Sequence, residues 1–450
     1  MHIHFIGIGG AGLSALAHVM LGRGFVVSGS DPAAPNEATD SLEKLGARIF
    51  SGHDAQNIAG ADLIVATSAA PSDNPELVAA HDQRIPVLKR REFLREVTRG
   101  YDVIAVAGSH GKTTTTAMIA TILENAGSDP TVVIGGTVPS WNANARVGKS
   151  NWFVMEADEY DYAFLGVEPK IAVLTNVDYD HPDLFPTREM YQNVFAEFLK
   201  QTRDDGVVVV CGDERAATRV AKASGKTMLC YGFDAENDWR AVNVYANEWG
   251  GNDFEIFFEN AFAVSASLQV PGQHNVLNAL AALIAANVAN VKRETSIATL
   301  EKFSGVGRRF EIHGSFNGAT LVDDYAHHPT EIRATLRAAR QRFADARLVV
   351  LFQPHTFSRT RALLDEFVNA FEDADEILIT EIYAARETDD SGLSSRELVE
   401  QMNKRARYVE TLEEAEKMLR AELRAGDVLL ALGAGDVNQV TAELVGNEYA

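Results

Sequence analysis

Short apolar runs that end in glycine and open directly into helically spaced residues recur along this chain, and no other feature constrains its fold more. HIHFIGIG (2–9) is followed by Leu13, Leu16, Ala17, Met20 and Leu21 on one helical stripe. DVIAVAG (102–108) stands in the same relation to a helical stretch over 113–125. A strand buried on both faces reads as a continuous apolar run, and strand–helix–strand succession builds a parallel sheet covered by helices. The pattern restarts near Arg99-Gly100 and again around GVGRRFEIHG (305–314), so three α/β domains are expected, over 1–99, 100–307 and 308–450.

Within the first domain, FVVSGSD and ADLIVATSAA read as further strands. In the second, TVVIGG, NWFVMEAD, KIAVLTNV and GVVVVCG are buried-strand candidates, with a helix over 187–202. Residues 241–270 shift to alternating, antiparallel character, and 274–289 are Ala-rich and helical. The third segment offers helices over 330–343 and 360–372 between the strands RLVVLFQPH, EILITEIY and DVLLALGAG.

At 450 residues the chain is too long for one core, and 46% hydrophobic with 23% charged residues is ordinary globular composition. Lys plus Arg number 41 against 63 Asp plus Glu, a net charge of −22. So acidic a chain is a poor general binder of nucleic acid or anionic membrane. A polyanion would have to be met in a local pocket, with cationic residues or metal ions. Cys211 and Cys230 make no disulfide framework and fit a reduced compartment. The start, MHIHFIGIGG, lacks the basic region of a signal peptide, and the near-apolar run 279–291 is too short to span a bilayer. A cytoplasmic protein is expected.

Two glycine clusters and two groups of polar residues carry the chemistry. Gly7, Gly9, Gly10, Ala11 and Gly12 form G-x-G-x-x-G between strand and helix, where backbone approaches a pyrophosphate and the helix N-terminus offers free N–H groups. Asp31 ends the next strand, where a ribose hydroxyl would be read. That pattern fits NAD and equally any nucleotide diphosphate. Gly108, Ser109, His110, Gly111, Lys112 and Thr113, followed by Thr114, form a shortened phosphate loop in which Val106 takes the place of the first glycine. Backbone N–H groups there cradle phosphate, Lys112 reaches the β- and γ-phosphates, and the Thr113 hydroxyl ligates Mg²⁺. Glu156, Asp158, Glu159 and Asp161 follow one strand and His181 another, at the ends where ligands bind open α/β sheets. A carboxylate and an imidazole there suit a second metal. In the third segment, Arg308-Arg309, the run 323–329, His355 and 358–361 can clamp a phosphoryl group or hold a zwitterion.

Together these residues resemble the Mur ligases of bacterial peptidoglycan synthesis, on the alanine-adding branch. The resemblance runs through HFIGIGGAGLSALA, AGSHGKTTTTAMI, EADEYD, LTNVDYDH, PGQHNVLNALAA, FSGVGRRFEIHG, DDYAHHPTEIRATL, FQPHTFSRT and IYAARE, essentially the whole chain. It implies an N-terminal Rossmann-like domain holding UDP, a central P-loop ATPase-like domain with a mixed sheet, and a C-terminal dinucleotide-fold-like domain that brings the amino acid. It implies a cytoplasmic ligase, a monomer or weak homodimer, that joins L-alanine to the carboxylate of UDP-N-acetylmuramate through an acyl phosphate. ATP is the co-substrate, with two Mg²⁺ ions. By the resemblance, Lys112 stabilises the γ-phosphate. Thr113, Glu156 and His181 hold metal, His274 and Asn278 approach adenine, and Arg309 contacts phosphate. Asp324 meets the ATP ribose, and His327, His328 and Arg359 orient alanine. Asp31 and Ser68 line the uridine pocket, with Gly7–Gly12 facing the diphosphate. The sister ligases' carbamylated lysine is replaced here by Ala196, with Lys200 the nearest lysine.

Three alternatives share part of these features. A ligase attaching a preformed tripeptide to the same nucleotide shares these motifs, although its first loop usually reads GICGTF rather than GIGGAG. An NAD-dependent oxidoreductase would use Gly7–Gly12 and Asp31 but leaves the Lys112 loop without a purpose. A nucleotide-binding regulatory module would keep the loop and lack turnover.

Overall fold

The computed structural model describes residues 1–388, 392–402 and 406–446. Contacts divide the chain into two compact units. The first comprises Met1–Asp178, Glu189–Arg240 and Asn278–Thr299; the second comprises Tyr179–Arg188, Ala241–Leu277 and the chain from Leu300 onward. Among the described residues, three sheets carry the α/β architecture that the apolar runs predict.

In the first unit, the N-terminal sheet has the order Arg48–Ser51, Val26–Asp31, His2–Ile6, Leu63–Ala66, Val87–Lys89, all parallel. The glycine run Gly7–Gly12 joins its central strand to the helix Ala11–Gly22, as the periodicity predicts. Isoleucines and alanines of one face (Ile6, Ile58, Ile64, Ala66, Ala80) form a buried cluster. A second sheet of this unit has the strand Asp102–Ala107 between Ile171–Leu174 and Trp152–Glu156. All three run parallel, with Val106 opposite Glu156 and Ala107 opposite Leu174. That register puts the phosphate loop, the acidic run and Thr175 at one edge. Outward lie Val207–Cys211 and Met228–Gly232 on one side, and Thr131–Val138 with its antiparallel partner Ala143–Arg146 on the other.

In the second unit, Asn252–Phe258 and Ala261–Leu268 pair antiparallel, the expected departure from βαβ pattern. The C-terminal sheet runs Glu311–Phe316, Ala319–Asp324, Val428–Leu432, Leu348–Phe352, Glu376–Ile379, Ala406–Tyr408, parallel except for its first strand. Alternation divides the side chains between its faces. Val322, Val350, Phe352, Leu430 and Leu432 pack in one buried cluster, and Leu321, Val349, Leu351, Leu429 and Ala431 in the other. Such a two-faced core is why those strands read as unbroken apolar runs. The helix expected over 360–372 is instead two short ones, Phe357–Ala362 and Leu364–Val368. Leu363 between them leaves helical geometry (φ −116°, ψ 21°) and is 3% exposed within the first cluster, so packing overrides helical continuity.

Candidate active site

The phosphate loop is shaped by two glycines with positive φ. Gly108 has φ +137°, and a Cβ there would lie 2.0 Å from Thr175 Oγ1. Gly111, at φ +80°, caps the helix Lys112–Asn125 in left-handed conformation, and its Cβ would lie 2.6 Å from Asn278 Oδ1. Only glycine fits either place without strain. The loop is braced from the neighbouring strand end: Thr175 Oγ1 and Asn176 Nδ2 donate to the His110 carbonyl (2.6 and 3.0 Å), and His110 N donates to Asn176 Oδ1 (2.9 Å). Ser109 Oγ donates to the Asp178 carbonyl at 2.6 Å, and the His110 ring lies 3.2 Å from an Asp178 oxygen. Asn278 packs beneath Gly111 and accepts from Thr115 Oγ1 at 3.1 Å.

Three anions surround Lys112. Its ammonium donates to Glu159 Oε2 at 2.9 Å and to the Gly108 and Ser109 carbonyls at 2.6 and 3.3 Å. Burial works against its charge, but Glu159, Asp158 and Glu156 outweigh that and hold its pKa above the ordinary lysine value. Glu156 accepts from the Thr113 hydroxyl (3.0 Å) and from Gly135 N (2.8 Å). A hydroxyl beside a carboxylate is a hard-oxygen pair of the kind Mg²⁺ takes, so these two residues fit one such ion. Thr114 follows on the same helix, half-buried.

At the first glycine run, Asp31 reaches back to the loop, where its Oδ2 accepts Gly9 N at 2.9 Å and its Oδ1 accepts Ala33 N at 2.9 Å. Gly7 N bonds the Ser30 carbonyl and Gly10 N the Gly7 carbonyl. Ala11 and Gly12 open the helix, whose first N–H groups have no intrahelical acceptor. Ser68 sits in the turn after Leu63–Ala66. Sequence reasoning missed Arg90. Its guanidinium lies where a Gly12 Cβ would be only 2.7 Å from Cζ, and its Nη1 donates to Asp158 Oδ2 at 2.7 Å. Although burial opposes it, Arg90 and then Lys112 pull the Asp158 pKa down to about 2. The start of the helix Arg90–Thr98, the loop glycines and the acidic run are thus tied through a cation that no local pattern marks.

His181 lies in the second unit, as do Arg359, His327, His328, His274, Arg309 and Asp324. Arg359, 3% exposed, donates from Nε to Asp180 Oδ1 at 2.7 Å and contacts His355 Nδ1 at 3.0 Å. Asp180 also accepts His181 N at 2.7 Å. Burial would raise the Asp180 pKa, but Arg359, His181 and His328 hold it well below the carboxylate range. His328 caps the helix Pro329–Arg342, its Nδ1 accepting from Thr330 N, while Nε2 lies 3.2 Å from the Tyr179 carbonyl. The His327 ring stands 5.8 Å from the His355 ring, and His355 stacks on Tyr383. Burial, above all, lowers the His327 pKa to about 4 and the His355 pKa to about 2, so both rings are neutral near pH 7. Glu331 lies 3.7 Å from Arg309 and 3.3 Å from His327. His274 is neutral too, burial lowering its pKa to about 4. Asp324 accepts Phe310 N and Ala326 N, both at 2.8 Å, yet burial lifts its pKa to about 6.

His355, already among the candidates, and Asp180 and Glu331, which were not, bind these residues together; the signal for Asp180 and Glu331 was adjacency to His181 and His328. Asp180, bonded beside His181, is paired with Arg359. Lys200 lies at the surface bonded to Glu197.

A central parallel strand that runs into a lysine-bearing glycine loop, with an acidic strand end in register, is the arrangement of nucleotide-dependent phosphoryl-transfer enzymes. The models of three domains match in order: the Mur ligase family catalytic domain over 2–102, the Mur ligase middle domain over 106–286 and the Mur ligase glutamate ligase domain over 308–435. The chain belongs to the Mur ligase family. A UDP-N-acetylmuramate–L-alanine ligase of Geobacter sp. (strain M21) is 45% identical over 442 residues, covering 97% of this chain and 95% of its own length. The enzyme of the same name from Caldanaerobacter subterraneus subsp. tengcongensis is 42% identical, with 97% and 96% covered. The crystal structure of a UDP-N-acetylmuramate–alanine ligase from Thermotoga maritima superposes with a TM-score of 0.86 at 32% identity, covering 100% of this chain and 99% of that one. A murein peptide ligase from Psychrobacter arcticus 273-4 gives 0.75 at 27%, covering 99% and 98%.

Proposed function

We propose that this protein is an ATP-dependent ligase joining L-alanine to the carboxylate of UDP-N-acetylmuramate in peptidoglycan precursor synthesis. The observation that carries this reading is full-length kinship, at 45% identity, with a ligase of that name. A carboxylate is a poor acyl donor. Its oxygen attacks the γ-phosphorus of ATP, the bond to the β-bridging oxygen breaks and ADP leaves. The alanine amine then attacks the acyl carbon, loses its proton, and phosphate departs as the amide forms. Exclusion of water protects the mixed anhydride.

In this reading Lys112 and the loop N–H groups of Gly108–Thr114 meet the phosphates, and Arg309 offsets charge developing on the transferring group. Thr113 and Glu156 would hold Mg²⁺, which neutralises phosphate charge when bound. His181 is our candidate toward a second ion. His274 and Asn278 belong to the adenine side and Asp324 to the ribose. His327 and His328 orient the amino acid with Arg359, whose fixed fork suits a carboxylate. Gly7, Gly9, Gly10, Ala11 and Gly12 take the UDP diphosphate, and Asp31 and Ser68 the uridine. We place the domain boundaries at 99/100 and 307/308. We also propose a cytoplasmic monomer or weak homodimer without nucleic-acid or membrane partners; no helix among the described residues is long and apolar enough to cross a membrane.

The test is phosphate release with UDP-N-acetylmuramate and Mg-ATP, comparing L-alanine, glycine, L-serine and a tripeptide. L-alanine is expected to support the fastest turnover. Release driven by the tripeptide alone would assign the chain to the recycling reaction instead.

A further inference from the structure

The three hydrogen-bond donors of the Lys112 ammonium all have acceptors within the protein. Two go to carbonyls of its own loop and the third to Glu159 at 2.9 Å. Glu159 is 1% exposed, so it is no solvated member of an acidic loop. Its other oxygen accepts the Tyr191 hydroxyl at 2.9 Å. Tyr191 is itself 1% exposed and packs edge-on against Phe195 (centroids 5.1 Å apart). Its hydroxyl also lies 2.9 Å from Ser109 Oγ, inside the phosphate loop. The chain Lys112–Glu159–Tyr191–Ser109 therefore closes on the loop it starts from.

A buried carboxylate held by an aromatic hydroxyl is a fixed counter-ion. It keeps an otherwise costly buried ammonium charged and aimed. It also occupies a donor that a phosphate oxygen must take. We infer that Glu159, clamped by Tyr191, is a positioning residue that competes with the incoming phosphate for Lys112, so that nucleotide binding exchanges one anionic partner for another. This rests on the reading that the Lys112 loop takes a triphosphate. Under it, the enzyme gives up some affinity for nucleotide and gains a lysine that returns to a defined place when ADP and phosphate leave.

The sign of the effect makes the test sharp, because damage to the loop weakens nucleotide binding whereas loss of a competitor tightens it. Calorimetric titration of the full chain with Mg²⁺ and adenylyl-imidodiphosphate is the measurement. Glu159→Gln keeps the shape and removes the charge, and is expected to tighten binding by about three- to tenfold. Should that variant not fold, Glu159→Asp, which draws the carboxylate back by one methylene, is expected to tighten it less but in the same direction. Tyr191→Phe leaves Glu159 with more of its charge for Lys112 and is expected to weaken binding by about two- to fivefold, an effect that disappears in the Glu159→Gln background. Unchanged or weaker binding by the Glu159 variants, or a Tyr191→Phe effect that persists in full without the carboxylate, overturns the exchange and leaves the ligase assignment standing. A wild-type chain that does not bind the analogue overturns both.

Discussion

At the residue scale, two cations, Lys112 and Arg359, are each held by a buried carboxylate. Lys112 sits among Glu159, Asp158 and Glu156, which together hold its pKa above the ordinary lysine value against the effect of burial, and under the proposed function it meets phosphate. Lys112→Ala is expected to lower the rate of phosphate release by about 10²–10³-fold, the range seen when a single preorganised electrostatic donor is removed. Full release by that variant would dismiss the loop as the reaction centre. Arg359 is paired through its Nε with Asp180, both side chains being about 5% exposed or less. Truncating one partner of such a pair leaves a buried charge alone, so Arg359→Ala is expected to cost about 3–5 kcal/mol of stability. Adding Asp180→Asn should recover part of that loss, which denaturant titration of the single and double variants would read. Neither partnership was legible locally. Lys112 and Glu159 lie 47 positions apart, and Arg359 and Asp180 lie 179 apart.

At the element scale, the turn between the strand Asp102–Ala107 and the helix Lys112–Asn125 depends on glycine for both torsion and space. Gly111→Ala would need a left-handed alanine and would drive its Cβ into Asn278. About 1–2 kcal/mol is expected from the torsion, with a further part from the clash. Asn278→Ala should relieve only that further part, so the double variant will be less destabilised than the two singles summed. Equal additivity would separate Asn278 from the loop. This loop was legible in the sequence because its geometry is local: apolar run, glycine, lysine, helix. The break at Leu363 was not, since helical spacing continues across it and only the packing of Leu363 into the core ends the first helix.

At the scale of the whole molecule, stability responds to pH through buried groups that the sheets bring together. Glu76 is fully buried beside His4 and His53, accepting Ser30 Oγ at 2.6 Å and Asn57 Nδ2 at 2.7 Å. Burial would raise its pKa, but His4, Ser30 and Asn57 lower it to about 2. A carboxyl whose folded pKa is depressed stabilises fully above its unfolded value of 4.5, and that contribution fades as pH falls toward about 2. The wild-type chain should therefore lose thermal midpoint between pH 5 and 3 more steeply than Glu76→Gln, with the gap between the two narrowing as acid is added (roughly following the protonation curve). A constant gap would remove Glu76 as a source of the acid limb.

The order of strands and helices, the two glycine loops, the lysine and the excess of acidic charge were determined by the sequence itself, because each depends on neighbours within a few positions. Strand order, the register that sets Glu156 beside the phosphate loop, and the pairing of Arg90 with Asp158, Glu159 with Lys112 and Arg359 with Asp180 were decided only by tertiary structure. Buried charges choose partners by distance in space, and only the packed sheets fix that distance.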